Sequence, residues 1–124
     1  MNASEQAPPP ALILAPIRGI TDAVYRRVWA GCFSGFDRAV APFVQVRQGH
    51  GLRPGELRQL SRAYNATLKT IPQLLTTHPP TFTAILRELH DLGHAEVNWN
   101  LGCPAPMVAS RGRGAPPWEP DSPG

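Results

Sequence analysis

The chain is poor in cysteine, with two in 124 residues, Cys32 and Cys103, and no Cys-x-x-Cys pair. Two such thiols do not make a disulfide framework. The four histidines, His50, His78, His90 and His94, show no ligand spacing with either thiol, so no metal site is expected. Long apolar runs are missing too. None approaches the roughly 20 residues a membrane span needs. The opening "MNASEQAPPP" has no basic stretch leading into an apolar core, as a secretory signal would. Free thiols and the lack of both signals predict a cytoplasmic protein. Charge of one sign is also scarce. Twelve basic against nine acidic residues give a net charge of +3, which permits an RNA partner without demanding one.

What is present suffices for one small domain, since 42% of the residues are hydrophobic. Residues 1 to 10 read as a flexible leader. "ALILA" (11–15), stopped by Pro16, fits a buried strand. Thr21 is placed to cap a helix, with Val24, Val28 and Cys32 as its apolar stripe and Gly35 as its stop. On that reading Cys32 is core, and Arg26 and Arg27 are surface charges. "RAVAPFV" (38–44) predicts a second strand, followed by a helix after Pro54 with Leu57, Leu60, Tyr64 and Leu68 on one face. "TIPQLL" (70–75) predicts a third strand, in which Pro72 lacks a ladder donor. Pro79 and Pro80 open the clearest helix. Phe82, Ile85, Leu86, Leu89 and Leu92 form its stripe, and Gly93 ends it. "AEVNWNL" (95–101) is the fourth strand.

Strand starts near 11, 38, 70 and 95, each separated by one helix, predict about four successive βα units and a parallel sheet. A doubly wound sheet and a TIM barrel both fit that spacing. The dinucleotide fingerprint G-x-G-x-x-G is absent after the first strand, where the chain reads "APIRGITDA". A complete barrel needs about 200 residues or more, so four units make a partial one. From residue 114 the text turns Pro-rich and loses any helical stripe. Residues 114 to 124 are therefore expected to be an unstructured tail.

Functional groups in parallel βα proteins gather at the carboxyl ends of strands. There the chain carries "APIRG", "APFVQ", "PQLL" and "NWNLGCPAP". Gln73, Asn98 and Asn100 are amides within or just after apolar strands. Each needs hydrogen-bond partners, supplied by neighbouring groups or by a flat heterocycle with alternating donors and acceptors. Trp99 alternates with the asparagines and should face the helix layer as core. Cys103, in a rigid Gly-Cys-Pro turn, is either a small buried hydrophobe or a reagent.

Four segments, "LAPIRGITDAVYRRV", "APFV", "PQLL" and "VNWNLGCPAPMVASRGRGA", resemble in order and spacing the first half of a tRNA-dihydrouridine synthase. The resemblance runs from about residue 12 to 115. It implies the amino-terminal half of an FMN-binding (β/α)8 barrel over 11–113, acting on uridine in tRNA with NADPH as reductant. It further implies Cys103 as the general acid that protonates C5 of the uracil. By the same resemblance Pro16, Ile17, Arg18, Gln73 and Asn100 would contact the flavin. Asn100, Arg111 and Arg113 would contact RNA. The second strand departs from the family at "APFV", where many members carry an acidic or threonine-glutamate pair. The family's fifth-strand lysine, sixth-strand histidine and phosphate-binding loops have no counterpart, so this chain is expected to be inactive alone. Its open sheet edges are expected to promote self-association. The alternatives are a non-catalytic remnant and an FMN barrel that reduces a small molecule.

Overall fold

In the computed structural model, residues 7–102 can be described. The expectations for the first residues of the leader, for Cys103, Arg111 and Arg113, and for the tail 114–124 lie outside that range. The apolar runs do form strands, in shorter pieces than their length suggests. In chain order the elements are β1 (Ile13–Leu14), α1 (Ala23–Cys32), β2 (Arg38–Val40), β3 (Val44–Gln45), α2 (Pro54–Leu60), β4 (Thr70–Ile71), β5 (Gln73–Leu75), α3 (Pro79–Asp91) and β6 (Asn98–Asn100). The second predicted strand is interrupted across 41–43, which contains Pro42, and the third at Pro72. Neither proline has an N–H to give to a ladder. The Pro72 carbonyl is still used, accepting from the Asn98 N–H at 2.8 Å.

All strand pairs are parallel. β2 lies between β1 and β4, and β5 lies between β3 and β6. Each strand pairs with its neighbour in the chain order of the units, with helices between, so the class is α/β with parallel sheets. Among the described residues β1 and β6 each pair on one side only.

Local chemistry sets the helix ends. Asp22, not Thr21, is the N-cap of α1, its Oδ1 accepting from the Tyr25 N–H at 2.8 Å. The Glu56 carboxylate accepts from the Arg53 N–H at 2.8 Å before α2, which ends at Leu60. Tyr64 and Leu68 therefore lie beyond that helix, although Leu68 is buried. α3 begins at two prolines whose fixed φ suits a first turn. It ends as expected at Gly93, whose φ of +91° is the left-handed conformation that glycine adopts without strain.

The core fills the space between β3, β5 and the helices α2 and α3. Val44, Leu60, Leu74, Ile85 and Leu89 are buried there, with Phe82, Leu92 and Val97 packed against them. α1 turns the other way from its stripe. Val24, Val28 and Cys32 are exposed, whereas Ala23 and Arg26 are buried. Both expectations for this helix, Cys32 as core and Arg26 at the surface, are thereby reversed. The cause is polar. The Ala23 N–H donates to Gln59 Oε1 at 2.6 Å, and the Arg26 guanidinium reaches the end of α2. These bonds fix which side of α1 faces inward, and a stripe of small apolar residues does not outweigh them.

The amino ends of the strands are tied by charge. Glu96 accepts from both Lys69 and Arg38, the latter at 3.2 Å. Its hydrogen bond and attraction to Lys69, and then the charge of Arg38, hold its carboxyl below the ordinary carboxylate value. A depressed folded-state pKa adds stability above the unfolded pKa and loses it as pH falls through the folded one. Stability should therefore fall on acidification through the carboxylate range, and Glu96→Gln should flatten that limb. Urea melts of both proteins from neutral to acidic pH test this. Leu89→Ala should lower stability by about 2–5 kcal/mol by opening a core cavity, whereas Cys32→Ala should stay within about 0.5 kcal/mol as a surface change. The same melts at neutral pH check the pair.

Candidate functional site

The β5–β6 register aligns Gln73 with Asn98, Leu74 with Trp99 and Leu75 with Asn100. Alternation along a strand then puts Gln73, Asn98 and Asn100 on one face and Leu74 and Trp99 on the other. On the second face Trp99 stacks on Phe82 of α3, with ring centroids 4.1 Å apart, and its Nε1–H donates to the Thr76 carbonyl at 2.8 Å. Trp99 thus meets the helix layer as the alternation predicts, but at 37% exposure it is not core.

On the first face the amides form a row. Gln73 Nε2 donates to Asn98 Oδ1 at 2.8 Å, and Asn100 Nδ2 donates to Gln73 Oε1 at 3.4 Å. Asn100 Oδ1 accepts from the Gly102 N–H at 3.1 Å, which folds the chain back at the strand's carboxyl end. No buried side-chain polar atom among the described residues lacks a partner. The row keeps donor capacity, because each primary amide has two N–H groups and the Asn98 pair has no partner among the described residues.

Pro16, Ile17 and Arg18 lie in a separate turn after β1. Gly19, at a φ of +79°, closes it in a conformation that a β-carbon would strain. Thr21 is its hub. Thr21 Oγ1 accepts from the Ile17 N–H at 2.8 Å, and the Ile17 carbonyl accepts from the N–H groups of Thr21 at 3.0 Å and Ile20 at 3.1 Å. The Arg18 guanidinium lies 5.2 Å from the centroid of the Phe43 ring, which docks the turn against the carboxyl end of the next strand. Gln73 and Asn100 are therefore brought together with Asn98, and Pro16, Ile17 and Arg18 with one another. No direct hydrogen bond joins the two groups among the described residues.

One buried cluster escapes sequence reasoning. Arg26 is 1% exposed. Its Nη1 donates to the Thr21 carbonyl at 2.8 Å, its Nη2 to the Gln59 carbonyl at 3.0 Å, and its Nε and Nη2 to Asn65 Oδ1 at 3.2 and 2.9 Å. Burial pushes the guanidinium below its ordinary pKa, with Asp22 pulling the other way. No carboxylate is hydrogen-bonded to it among the described residues, so neutral oxygens carry its solvation. The only sequence signal is the spacing of Arg26 three residues after Ala23, on the side opposite the expected stripe.

A groove of about 450 Å³ is lined by Arg62, Lys69, His94 and Glu96 at the amino ends of the strands. It is thus at the wrong end for the carboxyl-end chemistry of such folds. Among the described residues no group of three or more His, Cys, Asp or Glu side chains is placed to hold a metal, and no helix is long and apolar enough to cross a membrane.

The chain is α/β with parallel strands, and in such folds functional groups gather toward the carboxyl ends of the strands. A model of the dihydrouridine synthase family matches residues 13–116, and the chain belongs to that family. It is 33% identical over 110 residues to the tRNA-dihydrouridine(16) synthase of Salmonella typhimurium, covering 84% of this chain and 35% of that protein. The Escherichia coli K12 protein of the same name is 31% identical over 110 residues, 84% of this chain and 34% of its own length. That of Neisseria meningitidis serogroup B is 29% identical, covering 84% and 32%. The chain thus spans about a third of the length of the curated relatives it matches.

If the amide row is a cooperative unit, Gln73→Leu should destabilise the chain by about 1–3 kcal/mol, because an apolar side chain leaves its two asparagine partners without their bonds. Chemical denaturation measures the loss, and the side-chain amide resonances of Asn98 and Asn100 report the release.

Proposed function

We propose that this chain forms the amino-terminal part of the barrel of a tRNA-dihydrouridine synthase, with the uracil and flavin meeting at the carboxyl ends of β5 and β6. The observation that carries this reading is the row Gln73–Asn98–Asn100, with Asn100 fixing the Gly102 N–H immediately before Cys103. The order of parallel units agrees with four consecutive units of a (β/α)8 barrel.

The residues present fit the ring of an FMN. Its polar edge alternates donors and acceptors, and the row still has N–H groups to offer. Gln73, Asn100 and the turn at Pro16, Ile17 and Arg18 would hold it. When bound and reduced by NADPH, the flavin supplies the hydride taken up at C6 of the uracil. Cys103 supplies the other half of the reduction. Its Sγ–H gives a proton to C5, so the C5–C6 double bond gains one hydride and one proton and the thiolate is left to be reprotonated. A neutral thiol with an ordinary pKa suits that role. In the sequence Pro104 follows the thiol directly, and its fixed φ would limit the approaches open to it. Arg111 and Arg113 would contact tRNA phosphates, which position the substrate without reading its sequence.

The test is Cys103→Ala in the gene product that carries this chain, expressed in a strain lacking its own dihydrouridine. The variant should lower dihydrouridine in tRNA by about 10²–10⁴-fold, the usual contribution of a general acid. Flavin reduction by NADPH should be unaffected. Equal dihydrouridine from both proteins would remove the assignment.

A further inference from the structure

We propose that Arg26 is a positioning residue for the turn after β1, holding Ile17, Arg18 and Gly19 in place through Thr21. The proposal rests on the reading above that this turn borders the flavin.

The chain of contacts is continuous. The Gln59 carbonyl at the end of α2 and Asn65 Oδ1 in the segment after it hold the guanidinium. Asn65 is itself fixed, because its Nδ2 donates to the carbonyls of Gln59 at 3.0 Å and Ser61 at 2.8 Å. The remaining arm of the guanidinium takes the Thr21 carbonyl at 2.8 Å. Thr21, 2% exposed, then engages both the N–H and the carbonyl of Ile17. The consequence is chemical as well as structural. With the Ile17 amide engaged, the N–H groups of Arg18 and Gly19 are the turn's donors without a partner among the described residues. They sit in a turn whose Arg18 side chain is docked on Phe43 at the carboxyl end of the sheet. The structure thus orients two backbone donors at the strand ends and spends a buried guanidinium on keeping them there.

A filler of the space between α1 and α2 would need no donors. A lysine would keep the charge, yet one ammonium on a flexible stem does not reproduce a planar fork that meets three oxygens at once. Arg26→Lys therefore separates charge from geometry. Thr21→Val removes the relay hydroxyl while leaving the carbonyl that Arg26 binds.

The experiment measures amide hydrogen exchange and FMN affinity, the latter by quenching of flavin fluorescence, in the full chain and in Arg26→Lys, Arg26→Gln and Thr21→Val. Exchange at Ile17, Ile20 and Thr21 should speed up about tenfold or more while that of Leu89 in the core stays within about twofold. The dissociation constant for FMN should rise about tenfold in the same variants, with Arg26→Lys no better than Arg26→Gln. Unchanged turn exchange in a variant with an intact core would overturn the proposal, as would a loosened turn with unaltered FMN affinity. If Arg26→Gln loses core protection and fails to fold, Thr21→Val decides by the same criteria. Absence of FMN binding by the wild-type chain, which lacks the family's phosphate-binding loops, would leave the exchange measurements to settle whether Arg26 holds the turn.

Discussion

The register of β5 against β6 is the constraint on which the candidate site depends. Strand side chains alternate with a period of two, so one pairing decides both faces at once. With Leu74 opposite Trp99, the apolar pair meets α3 and the amides face the other way. A slip of β6 by one residue would send Asn98 and Asn100 into the helix layer and Trp99 out of it. The Trp99 ring on Phe82 and its N–H on the Thr76 carbonyl oppose that slip, as does Leu74, which is fully buried. The polar row is therefore positioned by the apolar face behind it.

A second constraint acts across the helices. Burying an ion removes hydration worth several kcal/mol, and a guanidinium without a carboxylate partner has to be solvated by dipoles. Arg26 finds them at the end of α2, where the last carbonyls of a helix have no intrahelical donor. The Leu60 carbonyl is met in the same way by His94 Nε2 at 2.8 Å. One set of unsatisfied groups thus satisfies another. The side chains that cap α2 come from α1, from the 61–69 segment and from the segment before β6, so the end of this short helix joins three parts of the chain.

Much of the frame was legible in the sequence because it follows from periodicity and punctuation. The α3 stripe, its opening prolines and its closing Gly93 predict that helix closely, and the spacing of apolar runs predicts parallel units. The interruptions at Pro42 and Pro72 were only partly legible, since a proline shows where a donor is lost and not whether the strand resumes. α1 was misread for a different reason. Val24, Val28 and Cys32 have core spacing, but the helix is oriented by Arg26, Ala23 and their partners Gln59 and Asn65, which lie 33 to 39 residues further on. Local pattern carries no information about a partner that distant. The candidate site divides along the same line. Gln73, Asn98 and Asn100 were visible as polar residues in apolar strands, whereas their mutual hydrogen bonds depend on register.

The two ends of the strands do different work. At the amino ends, opposite charges meet in exposed positions, where Glu96 joins Lys69 and Arg38. Exposed pairs of this kind contribute little and are weakened by salt. Toward the carboxyl ends most groups are neutral amides and backbone donors, held by part-buried hydrogen bonds. Neutral groups present direction without a strong field, which suits recognition of a flat heterocycle better than a ring of charges would. Charge enters that end twice, through the exposed Arg18, whose guanidinium lies over Phe43, and through Arg26, which is hidden from solvent and turned toward the backbone.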